Sequence, residues 1–138
     1  MKKVGRKRMR YEKAEDIEQI AREVVEMLGW HYISLDNVGF VRSYGSKARG
    51  TIARCHALGK AMQVGMDRKG FYLIEVISKR FDKLSHEDKI KTIIHELMHI
   101  PKTFGGGFRH HNFVNEKNVK KVYEHYIKLK SEQLDRWV

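Results

Sequence analysis

The chain has 138 residues, with 28 Lys plus Arg against 17 Asp plus Glu, for a formal charge of +11. At 41% hydrophobic and 33% charged residues it reads as one folded, charge-rich domain, and no apolar run reaches the roughly 18–20 residues of a membrane span. Its single cysteine, Cys55, excludes an intrachain disulfide and points to a reducing, cytoplasmic setting.

The opening MKKVGRKRMR is basic, and no apolar stretch follows that would make a secretory signal. It predicts a flexible basic tail over residues 1–11, ahead of a single domain over residues 12–138. Tail and net charge suggest non-specific DNA or RNA contact through phosphates, although a solvated, frayed terminus explains the same composition.

From Ala14 to Leu28, apolar residues at Ile17, Ile20, Ala21, Val24 and Leu28 have helical spacing, and Gly29 is the stop. Val38 to Tyr44 alternates and reads as a strand, followed by a Gly45-Ser46-Lys47 loop. Thr51 to Ala57 is a second strand candidate, and Leu58 to Gly65 is either a helical turn or another strand. Phe71 to Ile77 (FYLIEVI) is the strongest strand signal, and its near-continuous apolar character predicts that both faces are covered. Ser85 with Asp88 three residues on reads as a helix start. Ile90, Ile93, Ile94, Leu97 and Ile100 form the buried stripe of that helix, and Pro101 ends it. A last helix runs from about Val114 to Lys130, with Val119, Val122, Tyr123, Tyr126 and Ile127 on one face. The order helix, strands, helix, loop, helix predicts an α+β domain with a small, mainly antiparallel or mixed sheet.

The chemistry concentrates in His95-Glu96-Leu97-Met98-His99, an H-E-x-x-H sequence. On a helix, positions i and i+4 share a face, so two imidazoles can point at one ion. Glu96 lies about 100° round the axis and can flank the ion without ligating it. Neutral imidazole suits Zn²⁺, whose bound water acquires a pKa near 7 and can pass a proton to an adjacent carboxylate. A pair of surface histidines with an incidental glutamate is the alternative reading of these letters.

An open catalytic site needs a third ligand. Metzincins carry a histidine six residues after the second, but position 105 is Gly. Gluzincins use a Glu on a later helix, for which Glu116 and Glu124 are available. His110 and His111 are nearer, beyond a Gly105-Gly106-Gly107 turn that lets the chain fold back. As neighbours in an extended loop they point in roughly opposite directions, so only one should bind the ion.

The run IIHELMHIPKTFGGGFRHH, with the lead-in IEVISKRFDKLSHEDKIKT, resembles a metallopeptidase family of archaea and phages related to the SprT-like zincins. The likeness covers about residues 48–114. It implies a zincin-like α+β fold, His95 and His99 as zinc ligands, Glu96 as catalytic base and His111 as third ligand. One departure is that the family's proline before the third histidine is His110 here. The SprT-like relatives include DNA-dependent proteases, which would suit the basic charge.

Other residues have simpler readings. Cys55 and His56 point to opposite faces of a strand, with Cys55 a small core residue. His31, His86 and His125 stand alone. Glu75 inside an apolar strand needs a partner: Arg49, Arg54 or a ligand histidine. Tyr44, Tyr72 and Tyr123 are packing aromatics or, less simply, oxyanion donors. The combined expectation is a zinc-dependent peptidase acting on a protein or peptide laid against an edge strand. Its rivals are a nucleic-acid-binding module with structural zinc, and a metallohydrolase acting on a non-peptide substrate.

Overall fold

The computed structural model describes residues 8–136. Strand β1 (Arg10–Lys13) leads into helix α1 (Glu15–Leu28), and a short 3-10 turn at Leu35–Asn37 precedes β2 (Val38–Tyr44). Then follow β3 (Ala53–Ala57), α2 (Lys60–Gly65), β4 (Tyr72–Ile77), the single turn α3 (Ser78–Phe81), α4 (His86–Met98) and α5 (Glu116–Asp135). No helix among the described residues is long and apolar enough to cross a membrane.

The sheet has the order β1-β2-β4-β3. β1 pairs antiparallel with β2, β2 parallel with β4, and β3 antiparallel with β4. The sheet is therefore mixed, and the domain is α+β as expected. The parallel pair arises because the chain leaves β2, builds β3 and α2, and returns beside β2 from the same end.

Helices α1, α4 and α5 pack on one another, and α1 and α4 pack on one face of the sheet, against β2 and β3. That face carries Val38 and Phe40 from β2 and Tyr72, Ile74 and Val76 from β4, all in the core with Ile17, Val24, Ile93, Ile94 and Leu97. The stripe read for α4 is buried throughout, α1 buries Ile17, Ala21 and Val24 of its stripe, and α5 buries Val119 and Tyr126.

The expected cover on both faces of β4 holds at every residue of the strand but one. On the face away from the helices Leu73 is only half-buried, while Glu75 and Ile77 are buried among neighbouring strands and turns. Tail and helix limits change. The strand β1 takes Arg10 and Tyr11 out of the expected 1–11 tail, whose first seven residues lie outside the described residues. No alternation in RYEK announced it, since all four residues are exposed and only pairing with β2 defines them. The last helix starts later, capped by Asn115 whose Oδ1 accepts the Asn118 N–H at 3.0 Å, and runs on to Asp135. Ile127, placed on its inner face by spacing, is 39% exposed.

β3 is an edge strand that contacts α4. The Leu58 N–H bonds the Phe71 carbonyl, and the Ile77 N–H bonds the Ile52 carbonyl, each at 2.8 Å. Backbone groups alternate along an antiparallel strand, so those of Ala53 and Cys55 point to the free edge. Cys55 packs towards the core, and burial pushes its thiol up to about 12, which makes it inert.

Candidate functional site

The H-E-x-x-H sequence forms the last turn of α4. Ser85 starts the helix, its Oγ accepting the Asp88 N–H at 3.2 Å, and burial of Ile90, Ile93, Ile94 and Leu97 orients it. The helix ends at Met98, two residues before Ile100, but His99 as C-cap keeps right-handed helical geometry, so the i, i+4 relation to His95 survives. The two imidazole centroids are 5.0 Å apart.

His111 comes to the same point from the loop beyond, its ring 6.0 Å from that of His95 and 5.2 Å from that of His99. One ligand nitrogen from each of the three lies within 4.8 Å of the others. His110 lines the same cleft but stands outside this trio. Glu116 lines an adjoining groove, and Glu124 is on an exposed part of α5.

The geometry of His99 is set by its neighbour across the loop. Its Nδ1 donates to the Arg109 carbonyl at 2.6 Å, and the Arg109 N–H donates to the His99 carbonyl at 2.8 Å. This fixes the ring and leaves Nε2 as the nitrogen free to ligate. It also ties residue 109 to the helix end, so His111 cannot drift far.

Two further side chains hold the glycine turn. The hydroxyl of fully buried Tyr72 accepts the Gly106 N–H at 2.9 Å and donates to the Gly107 carbonyl at 2.7 Å. Gln63 of α2 uses its Nε2 on the carbonyls of Leu58 and Gly105, at 2.7 and 3.1 Å. Gly106 has φ +106°, and an added Cβ would lie 2.7 Å from the Gln63 amide nitrogen and 2.8 Å from the Leu58 carbonyl, so only glycine fits. Spacing along the sequence does not reveal these clamps. The available hint was that a buried tyrosine needs a partner for its hydroxyl and a glycine-rich loop has backbone groups to offer.

The electrostatics favour the neutral form of the two α4 imidazoles. Burial, followed by the nearby His99 and His111, pushes His95 down to about 4. Burial also lowers His99 despite its bond to the Arg109 carbonyl. Glu96, only 6% exposed, has its carboxyl raised to about 7 by burial. A carboxylate poised near neutrality beside three imidazoles is an arrangement suited to proton transfer.

The remaining residues singled out by sequence fall elsewhere. His31, His86 and His125 are exposed. The Tyr44 hydroxyl donates to Glu12 at 3.2 Å, and the Lys91 ammonium lies 5.1 Å over the Tyr123 ring, so neither tyrosine faces the cleft. Tyr72 is a clamp, with its hydroxyl committed to the loop. Glu75 pairs with His56 at 2.8 Å and approaches Arg54 at 3.8 Å on the sheet face away from the helices; neither Arg49 nor a trio histidine is its partner.

Fold and site together define an α+β domain in which one helix and the loop after it gather three imidazoles that could hold a metal ion, with a buried carboxylate alongside. The chain belongs to the family described as "Putative phage metallopeptidase", whose model matches residues 9–132. No curated protein and no solved structure matches it.

Proposed function

We propose that the chain is a zinc-dependent peptidase in which His95, His99 and His111 hold the ion and Glu96 is the general base. The observation that carries this reading is the trio of imidazole nitrogens within 4.8 Å of one another, with Glu96 buried beside it on the same helix. The donor set fits Zn²⁺: three imidazole nitrogens, with no thiolate or carboxylate in the group. Zinc held there would supply a Lewis acid for the scissile carbonyl and would acidify a bound water.

The chain's own residues do the rest. Glu96, buried beside the trio, would take a proton from the attacking water and deliver it to the leaving amine nitrogen. The outward backbone groups of Ala53 and Cys55 on the edge of β3 offer hydrogen bonds to an extended peptide, aligning its carbonyl over the histidines. The largely exposed Phe108–His111 stretch lines the other side of this cleft of about 360 Å³.

The test pairs metal analysis with cleavage of a peptide library. The expected result is about one zinc per chain with cleavage in the wild type. Glu96→Gln should retain zinc and lose activity by about 10²–10⁴-fold. A zinc-loaded wild type that cleaves no peptide, or a Glu96→Gln variant as active as the wild type, overturns the proposal.

A further inference from the structure

We infer that the groove running from His95 towards α5 is the pocket for a bulky apolar side chain, leucine- or phenylalanine-like, carried by the substrate residue next to the scissile bond. The inference rests on the peptidase reading for its substrate. Its evidence is a separate part of the surface. The groove has a volume of about 570 Å³, ample for one large side chain and its flanking backbone. It shares Ala53, His95 and Glu96 with the histidine cleft. The two are therefore one trough along the free edge of β3, with Glu96 at the junction. A peptide paired with β3 crosses both halves, and side chains alternate along it, so a residue beside the reacting carbonyl is directed into the groove.

The walls decide what enters. Ile52 just before β3, Ala53 at its start, Leu84 from the turn before α4, and Val119 from α5 provide apolar surface. The Thr92 hydroxyl is committed to the Asp88 carbonyl at 2.8 Å and makes no demand on a ligand. The rim charges balance, Asp88 and Glu116 against Lys91 and Lys120, with Lys91 further tied to Glu87 at 3.1 Å, and the one further lining carboxylate, Glu96, sits at the junction with the histidine half. Neither sign of ligand is favoured, which leaves apolar contact to set the preference. The histidine half differs, since Arg54, Arg109 and His110 line it.

The experiment is a heteronuclear NMR titration of the full chain with N-acetyl-phenylalanine amide and N-acetyl-alanine amide. Neither probe requires turnover or metal. The phenylalanine probe should shift the amides of Ile52, Leu84, Thr92 and Val119 and bind at least about tenfold more tightly than the alanine probe. Leu84→Trp, and separately Thr92→Trp from the α4 side, fill the groove and should remove that binding, while the dispersion of the spectrum verifies folding. In cleavage of paired peptides the same preference, about tenfold or more in kcat/KM, should be lost in both variants. Shifts located away from the groove, equal binding of the two probes, or unchanged binding in a folded Trp variant would overturn the inference. Groove binding without hydrolysis of any peptide would instead refute the peptidase reading and leave the apolar pocket standing.

Discussion

Replacing Tyr72 by Phe removes one oxygen atom from the centre of the molecule and tests how the third histidine is held. The ring stays in place, because its packing against Phe104 at 4.9 Å between centroids needs no hydroxyl. Two hydrogen bonds vanish, from the Gly106 N–H at 2.9 Å and to the Gly107 carbonyl at 2.7 Å. Gly107 is exposed and water replaces its partner, so that bond costs about 0.5–1.5 kcal/mol. Gly106 is half-buried, and its N–H is left largely without a partner, which adds about 1–2 kcal/mol. The sum is about 1.5–3.5 kcal/mol, and at about 3–4 °C per kcal/mol for a domain of this size the Tm falls by about 5–14 °C.

The same change acts on metal binding. His111 lies five residues beyond Gly106, and Gln63 and the His99–Arg109 pair still restrain the loop. Part of the lost order must be restored on binding, so zinc affinity should fall about tenfold, equivalent to about 1.4 kcal/mol. Thermal melts in chelator and a competition titration with a zinc indicator measure the two effects separately. A Tm within a degree of the wild type, with unchanged zinc affinity, would refute the clamp. A lowered Tm with unchanged affinity would show that the turn stabilises the fold without positioning His111.

His111→Ala should weaken zinc by more than the about 10–100-fold typical of losing a supporting residue, whereas His110→Ala should keep the metal; zinc stoichiometry after dialysis against a weak chelator decides, and the reverse pattern would refute the assignment. Arg42 bonds Asp16 at 2.6 Å and Asp82 at 2.9 Å. Its hydrogen bonds hold the Asp16 carboxyl below the usual range, and for Asp82 they and the Ser78 hydroxyl outweigh the opposing effect of burial. Folded-state values below the unfolded ones mean that this contribution, on the order of 1 kcal/mol, is full above about pH 4 and lost as pH falls through the lowered values. The Tm difference between wild type and Arg42→Ala should therefore shrink from pH 7 to pH 3, and a constant difference would contradict it. Gly70→Ala places a Cβ 2.1 Å from the Phe104 carbonyl oxygen, so displacement of the 101–107 loop should cost about 1–3 kcal/mol in denaturant unfolding, and an unaltered midpoint would show that the contact yields freely.

The sequence by itself determined whatever depends on neighbours within one turn or one pleat. The period of Ile17, Ala21 and Val24, the alternation of Val38 to Tyr44 and the Ser85 cap each encode an element locally, and the structure contains all three. The H-E-x-x-H spacing belongs to this class, because the i, i+4 relation is a property of the helix alone. Only tertiary structure decided the rest. β1 exists because β2 offers it a partner, and the parallel register of β2 with β4 depends on a crossover that no local pattern records. Glu75 pairs with His56 because the antiparallel register brings β3 alongside β4, 19 positions away in the chain. The place of His111 rather than His110 in the histidine trio likewise rests on Tyr72, Gln63 and His99 gripping the loop from three separate elements. These are contacts between residues distant in sequence, and their geometry appears only when packing of the core has brought those elements together.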